Sequence, residues 1–264
     1  MTPKVYEPFM HIKTGPLEAT YAILPGDPGR CEEIAQAFDH PMLHSQNREY
    51  TTYLADLAGE KIAICSTGIG GPSAAIAMEE LYQAGVREFI RLGTCGGMQE
   101  HTKPGTLVMA QGAIRDEGTS SHYLPLAFPA VADFALLTSL AQAADSLAIP
   151  YEVGVVQSKD SFYGQMDPER MPVAAYLQER WQAWIQAGCL ASEMETAALY
   201  TVARALPEAK VAALFTVLWN QERTAKGYQD QAWHDNGRAI ATVKAALALR
   251  IDEKKQAKAK QSKK

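Results

Sequence analysis

Three segments of the sequence place glycine beside arginine or threonine directly after short apolar runs. They are residues 25–30 (PGDPGR), 66–73 (STGIGGPS) and 91–97 (RLGTCGG). Glycine lets backbone N–H groups approach an anion closely, and a helix that follows adds its positive end. Arginine donates paired, charge-assisted hydrogen bonds that match phosphate oxygens. The segments therefore predict a phosphate site with Arg30 and Arg91 as its cations.

The common nucleotide-binding motifs are absent from the sequence. No segment reads Gly-x-x-x-x-Gly-Lys-Ser/Thr, and Gly68-x-Gly70 lacks the third glycine of the dinucleotide motif at its proper spacing. These absences argue against nucleoside triphosphate hydrolysis and against NAD binding. A single arginine is more often the partner of a surface ion pair than a ligand, but the glycine turns beside Arg30 and Arg91 favour the ligand.

Two further groups of polar residues could contribute to such a site. Arg48 lies in residues 45–50 (SQNREY), just before a predicted strand. Glu193 and Glu195 lie at the start of a predicted helix, two positions apart, so only one of them can point at a given ligand. The alternative is that both acids only complement the helix dipole.

Apolar runs alternate with amphipathic segments along the chain, which is typical of an α/β fold. Both hairpin-like and crossover connections occur, so we predict a mixed sheet. The predicted strands are residues 21–24, 51–56, 61–66, 88–92, 105–111, 153–157 and 211–217. The predicted helices are residues 30–38, 72–84, 172–186, 193–205 and 231–251.

The composition is that of an ordinary globular protein. The 264 residues are 47% hydrophobic and 21% charged, with a net charge of −5. No basic face is implied, so we expect no nucleic-acid partner. Residues 1–253 are predicted to form a single domain, and the lysine-rich residues 254–264 to be a disordered tail.

The cysteine spacing and the hydropathy of the chain indicate the cellular compartment in which the protein is expected. Cysteines 31, 65, 95 and 189 are widely spaced and lack metal-ligand spacing, so they are expected to be reduced thiols. The amino end lacks a secretory signal, and no run of eighteen apolar residues occurs. We expect a cytoplasmic protein with no membrane partner.

Six segments in order resemble the uridine phosphorylases of the nucleoside phosphorylase superfamily (the PNP/UDP family). The resemblance covers roughly residues 11–250 and is carried by residues 25–30, 66–73, 91–96, 128–134 (FPAVADF), 160–165 (DSFYGQ) and 192–195 (SEME). It implies a three-layer α/β/α fold with a mixed central sheet. It also implies a homo-oligomer: at least a dimer with two complete sites, and commonly a hexamer built as a trimer of dimers.

The resemblance assigns the phosphate and ribose contacts. It gives Glu195 the paired ribose hydroxyls, Met194 the apolar face of the sugar, and His11 the 5′-hydroxyl across the dimer interface. The phosphate set is Gly26, Arg30, Arg48, Arg91 and Thr94, with Arg48 reaching in from the neighbouring subunit.

The base contacts follow the family less closely. Phe162 resembles the aromatic residue that packs against the base, Gly96 lies in the third glycine segment, and Gln165 resembles the amide that pairs with the pyrimidine edge. The usual Gln-x-Arg pattern is absent, so the basic partner is either Arg170, after a longer loop, or Arg223, in residues 220–223 (NQER).

The implied reaction is the reversible phosphorolysis of uridine to uracil and α-ribose 1-phosphate, in pyrimidine nucleoside salvage. The catalytic residues implied are Arg91, Gln165, Glu195 and Arg223, with phosphate as co-substrate and no required cofactor. The resemblance also implies a structural potassium ion at the dimer interface, at Glu49, Ile69 and Ser73.

Other functions remain open at this point. A purine nucleoside phosphorylase resembles this chain but carries Ser-Asp where residues 218–220 here read LWN. Base specificity could also differ within the family. Nucleoside hydrolases lack the phosphate arginines, and a non-catalytic nucleoside-binding protein would not need an anion site below the sugar.

Overall fold

A ten-stranded mixed sheet forms the centre of the computed structural model, which describes residues 8–261. The strands are β1 (Ala19–Leu24), β2 (Asp39–Asn47), β3 (Tyr50–Leu57), β4 (Glu60–Cys65), β5 (Glu88–Gly97), β6 (Leu107–Asp116), β7 (Ala130–Val131), β8 (Tyr151–Lys159), β9 (Ala191–Glu193) and β10 (Lys210–Asn220). Their order is β10-β6-β8-β9-β5-β1-β4-β3-β2, with β7 beside β6. Strand β10 also pairs with β5, so β5, β10, β6, β8 and β9 close into a ring.

The sheet combines parallel and antiparallel pairs, as predicted. Strand β1 pairs in parallel with β4 and with β5. The predicted strands 51–56 and 61–66 are confirmed and form a hairpin, the antiparallel pair β3–β4. Its turn is Ala58-Gly59, where both residues have positive φ (51° and 79°), which gives the twist that a two-residue hairpin turn needs.

Helices pack on both faces of the sheet and produce the predicted three-layer α/β/α architecture. They are α1 (Gly29–Ala35), α2 (Gly71–Ala84), α3 (Phe134–Ser146), α4 (Phe162–Met166), α5 (Ala174–Gln186), α6 (Thr196–Ala205), α7 (Gln221–Ala225) and α8 (Gly237–Gln261). Apolar residues of α2 and α6 bury one face of the sheet, including Met78 and Leu199. Residues of α1, α3 and α8, including Ile34, Leu140 and Leu247, bury the other.

The glycine segments meet at one edge because the parallel strands β1 and β4 end there, beside Arg91 of β5, and the third segment is the continuation of β5 to Gly97. Two backbone hydrogen bonds join the first two segments: Thr67 N–H donates to the Pro25 carbonyl at 2.8 Å, and Gly68 N–H to the Gly26 carbonyl at 3.0 Å. The carboxyl ends of parallel strands are the usual ligand-binding edge of an α/β sheet.

Two predicted helix starts were wrong. The helix predicted from residue 193 begins at Thr196, because Glu193 ends β9 and pairs within the sheet. The helix predicted from residue 231 begins at Gly237. Strand β2 was not predicted because its residues are mostly polar and largely exposed, so it lacks an apolar run.

The predicted disordered tail is also corrected. Helix α8 continues to Gln261, so residues 254–261 are helical, which suits the helix propensity of alanine, lysine and glutamine. Lys254 Nζ lies 2.8 Å from Glu88 Oε1, and Lys255 Nζ donates to the Ala58 carbonyl at 2.5 Å. Residues 262–264 lie outside the described residues. Within the described part of the chain, no helix combines the length and apolar character needed to span a bilayer.

Candidate active site

A cavity of about 970 Å³ opens where the three glycine segments meet. The amino ends of α1 and α2, the end of β5 and the residues before α6 border it. Most of the predicted site residues line this single cavity: Gly26, Arg30, Glu49, Ile69, Ser73, Arg91, Thr94, Gly96, Phe162, Gln165, Met194 and Glu195.

Two arginines lie at one end of the cavity with N–H groups that no described residue accepts. The buried Nε and Nη2 of Arg30 and the buried Nε of Arg91 have no hydrogen-bond partner among residues 8–261. Burial lowers the pKa of Arg30, and the positive charge of Arg91 lowers it further. Unpaired buried donors are costly, and adjacent cations repel each other. An anion between these guanidinium groups would relieve both effects.

Arg91 is held by hydrogen bonds from the surrounding loops. Its Nη1 donates to Thr67 Oγ1 at 2.9 Å and to the Leu24 carbonyl at 3.3 Å. Its Nη2 donates to Glu195 Oε2 at 2.8 Å, and the Arg91 side chain is only 6% exposed. A Cβ added at Gly26 would lie 3.2 Å from Arg91 Nη2, so glycine leaves space for the guanidinium. These contacts hold the Arg91 guanidinium in place and leave its Nε–H without an acceptor among the described residues.

The two predicted acids have different roles. Glu195 Oε1 accepts from Gly70 N–H at 2.7 Å, while its other oxygen pairs with Arg91. Glu193 accepts from the backbone N–H groups of Glu195 and Thr196 at 2.8 and 3.0 Å and so caps helix α6. Burial, followed by the nearby Glu195 charge, raises the pKa of Glu193. Glu195 is therefore the carboxylate available beside the arginines, and Glu193 positions it.

The opposite end of the cavity carries an aromatic ring and an amide. Phe162 and Gln165 lie on α4, whose first turn is capped by Ser161 through a 3.0 Å bond from Gly164 N–H. Gln165 Oε1 lies 2.7 Å from Ser192 Oγ, and Phe162 is half exposed toward this opening. An aromatic face with an amide suits a planar, hydrogen-bonding base.

Lys159 also lines this end of the cavity and was not predicted. It is the last residue of β8 and is only 7% exposed, and its Nζ donates to Ser192 Oγ at 2.7 Å. Burial lowers its pKa to about 8, against the opposing charges of Glu193 and Glu195. The signal in the sequence was a lysine directly before residues 160–165 and at the end of an apolar strand.

Arg223 and Arg170 do not line this cavity, and contact of either with the base stays a prediction. Arg223 pairs with Asp230, with Nη2 2.9 Å from Oδ1, and its Nη1 donates to the Glu100 carbonyl at 2.8 Å. Its guanidinium lies 4.0 Å from the Tyr228 ring centroid. Arg170 pairs with Asp167 at 3.0 Å on the surface. Both guanidinium groups therefore have partners elsewhere in the chain, outside this cavity.

His11 and Arg48 also lie away from this chain's own cavity. His11 Nδ1 lies 2.6 Å from Glu80 Oε1, and the backbone N–H groups of His11 and Ile12 donate to the same carboxylate. Arg48 lies between β2 and β3 with a positive φ of 54°. Their predicted reach into a neighbouring subunit stays a prediction.

Comparison with known proteins identifies the family. The chain is 48% identical to a uridine phosphorylase of Treponema pallidum over 233 residues, covering 88% of this chain and 90% of that protein. It is 44% identical to a uridine phosphorylase of Escherichia coli over 187 residues, covering 70% and 74%. A guanosine phosphorylase of Halorubrum lacusprofundi is 44% identical over 183 residues, covering 69% and 71%. Residues 20–251 match the family described as the phosphorylase superfamily. With the match spanning most of the chain and the sheet, arginines and carboxylate arranged as above, the protein belongs to the phosphorylase superfamily.

Proposed function

We propose that this protein is a uridine phosphorylase, a pentosyltransferase that converts uridine and phosphate reversibly into uracil and α-ribose 1-phosphate in pyrimidine nucleoside salvage. One observation carries the proposal: a single cavity holds two arginines with unpartnered N–H groups, a buried carboxylate, and an aromatic–amide pair. These groups match, in order, a phosphate, a ribose and a base. The similarity to the two uridine phosphorylases supports the choice of base.

The phosphate end would supply the nucleophile. Arg30, Arg91 and Thr94, with backbone N–H groups near Gly26, would hold the phosphate dianion below C1′ of the ribose. A phosphate oxygen forms a bond to C1′ as the C1′–N1 bond breaks. The electron pair of that bond leaves with the base, and the phosphate proton ends on uracil, so that charge and atoms balance.

The carboxylate would position the sugar between the two reacting groups. Glu195 pairs with Arg91, and its carboxylate can accept hydrogen bonds from two adjacent hydroxyl groups. Met194 lines the same part of the cavity and offers an apolar contact to the ribose ring. Since Arg91 contacts Glu195 directly, the phosphate and ribose sites are mechanically linked.

Release of uracil tests the proposal. The purified protein with uridine and phosphate is expected to release uracil, followed by ultraviolet absorbance, and to yield ribose 1-phosphate in equal amount. Omission of phosphate is expected to abolish turnover. Uracil release at the same rate without phosphate would indicate hydrolysis, and no release with phosphate would refute the proposed substrate.

A guanosine phosphorylase is the second candidate, because one relative of that name is 44% identical to the chain. Residues 218–220, which stand where a purine nucleoside phosphorylase carries Ser-Asp, argue against this candidate. Asn220 donates to the carbonyls of Gln99 and Thr102 and caps α7, so its amide is committed to the fold. Guanosine and inosine therefore belong in the same assay, and preference for either over uridine would select this candidate.

Assembly, location and ion binding are further parts of the proposal. We propose at least a dimer, and a hexamer made of three dimers, in which Arg48 and His11 complete the neighbouring site. The four cysteines are free thiols, which supports a cytoplasmic location. Ser73 Oγ donates to the Ile69 carbonyl at 3.0 Å and Glu49 lines the same cavity, and a structural potassium ion at these three residues is part of the proposal.

A further inference from the structure

The base end of the cavity contains one buried cation, Lys159, with unused donors. Its ammonium carries three protons, and among the described residues only Ser192 accepts one of them. The side chain is 7% exposed and holds this charge at the cavity wall. A buried cation with two uncommitted donors needs an acceptor, and a ligand in the cavity can supply one.

Its neighbours show which part of a nucleoside would meet it. Lys159 Nζ lies 6.0 Å from the centroid of the Phe162 ring, and Ser192 Oγ joins it to Gln165 Oε1. Lys159 and Gln165 also line an adjoining cavity of about 640 Å³ that contains neither Arg30 nor Arg91. Lys159 therefore belongs to the base end, not to the phosphate end.

A chain of polar groups holds the lysine in place. Ser192 Oγ accepts from Lys159 and has a single proton of its own, which it can give to Gln165 or to Gln157, at 2.7 and 2.9 Å. Gln157 Nε2 in turn donates to Asp116 Oδ2 at 2.7 Å, and Arg180 pairs with the other oxygen of Asp116. The ammonium is thus preorganised before substrate binds, which is the condition for electrostatic stabilisation of developing charge.

We propose that Lys159 is a catalytic residue that donates hydrogen bonds to a carbonyl oxygen of the base and stabilises the anion formed when the C1′–N1 bond breaks. This inference rests on the proposed function. It assigns to Lys159 a cationic role at the base, where Lys159 lines the cavity while Arg170 and Arg223 pair with Asp167 and Asp230. The ammonium need not transfer a proton, because the phosphate proton neutralises the departing base.

The test compares Lys159→Met on two substrates with different leaving groups. We expect kcat/KM for uridine to fall by roughly 10²–10³-fold, the range found when a preorganised donor is removed. On 5-fluorouridine, whose fluorine stabilises the departing anion, the loss should be at least about tenfold smaller. Lys61→Met, which removes an exposed lysine paired with Asp56, is the control and should match wild type.

Two outcomes would overturn the inference. One is activity of Lys159→Met on uridine within about threefold of wild type. The other is an equal loss on uridine and on 5-fluorouridine, because a merely structural defect would not depend on the leaving group.

A second variant keeps the test decisive if Lys159→Met does not fold. Lys159 faces Glu193, Glu195, Cys95 and Asp116, yet burial dominates and lowers its pKa to about 8. The cation is present below that pH, so wild-type kcat/KM should fall as pH rises through about 8. Lys159→Arg stays protonated and should keep its rate there. Identical high-pH behaviour of the two proteins would overturn the inference.

Uracil binding separates this inference from the proposed function. Calorimetry with uracil and phosphate should show weaker binding to Lys159→Met or, if that variant does not fold, altered binding to Lys159→Arg. A wild-type protein that binds uracil in a Lys159-dependent way but cleaves no uridine would refute the proposed function alone. Turnover of uridine that Lys159 substitutions leave unchanged would refute only the role of Lys159, and no binding and no turnover would refute both.

Discussion

At the residue scale, Arg30 and Arg91 share a cavity but depend on the fold in different ways. Arg91 is paired with Glu195, Thr67 and the Leu24 carbonyl, whereas the buried Nε and Nη2 of Arg30 lack partners in the described chain. Removing one member of a buried ion pair strongly destabilises the folded protein, because the other charge stays buried without a partner. Removing an unpaired cation instead relieves its repulsion with a neighbouring cation. The two arginines should therefore be separable by mutation.

We predict that Arg30→Ala and Arg91→Ala both lower kcat/KM for phosphate by roughly 10²-fold or more, since each removes a charge-assisted anion contact. Their stabilities should differ. Arg91→Ala leaves Glu195 unpaired and should lower the free energy of unfolding by about 3–5 kcal/mol. Arg30→Ala should change it by less than about 1 kcal/mol. Phosphate-dependent kinetics and urea denaturation measure the two effects, with the exposed Arg204→Ala as control.

The reverse pattern of stability, or normal use of phosphate by Arg91→Ala, would contradict these assignments.

The sequence identified both arginines because each is attached to a glycine turn beside a buried strand. It did not indicate the partners of Arg223, because Asp230 and Tyr228 lie on a loop whose conformation no local pattern predicts. It missed Lys159 because burial of a lysine depends on how β8, β9 and α4 come together.

At the element scale, a charged cluster attaches α8 to the first residue of β5. Glu88 is buried, and Arg250 Nη2 and Lys254 Nζ lie 3.2 and 2.8 Å from its Oε1. Burial alone would raise the pKa of Glu88, but hydrogen bonds from Arg250 and Lys254 outweigh it and lower the pKa. Through Lys254, the cluster ties the start of the lysine-rich end to the sheet, a long-range contact that composition alone could not indicate.

We predict that Glu88→Gln lowers the free energy of unfolding at pH 7 by about 3 kcal/mol, because it leaves two cations without a buried partner. A carboxylate with a lowered pKa in the folded state stabilises above its unfolded pKa and loses that contribution as pH falls through the folded pKa. The difference between variant and wild type should therefore shrink as pH drops below about 4. Denaturant titrations at several pH values measure this.

The matched control is Glu253→Gln, which pairs with the same Arg250 at 2.8 Å but is largely exposed. Its effect should stay below about 1 kcal/mol, the usual range for a surface pair. Equal effects of the two substitutions would show that burial of Glu88 has no energetic weight. Seven of the ten strands and the helices α1, α2, α5, α6 and α8 could be predicted from apolar periodicity, whereas α3 and the short elements β7, β9, α4 and α7 were missed. The start of α6 could not be predicted because Glu193 belongs to a strand and still caps the helix.

At the scale of the whole molecule, the proposed dimer predicts that one site contains residues of two subunits. Arg48→Ala should lose phosphate use although Arg48 does not line its own chain's cavity. Mixing Arg48→Ala with Arg91→Ala subunits should restore activity. Half of the dimers in an equal mixture are mixed, and each has one complete site, so roughly a quarter of wild-type activity is expected. Kinetic assays after co-refolding measure it.

Failure of the mixture to exceed the activity of either variant alone, with dimers demonstrated by light scattering, would exclude a shared site.

The contacts between subunits could not be predicted from the sequence pattern of one chain. His11 pairs with Glu80 and Arg48 lies in the turn between two strands, and both surroundings also suit an ordinary surface residue. Their assignment depends on the resemblance to the family, whereas that of Arg30 and Arg91 also follows from the cavity itself.

A crystal structure of the protein with phosphate and uracil bound tests the central claim most directly. The account predicts phosphate oxygens within about 3 Å of the guanidinium nitrogens of both Arg30 and Arg91, with uracil stacked near Phe162 and a carbonyl oxygen on Lys159. Phosphate bound elsewhere on the protein, with the two guanidinium groups contacting no anion, would contradict it.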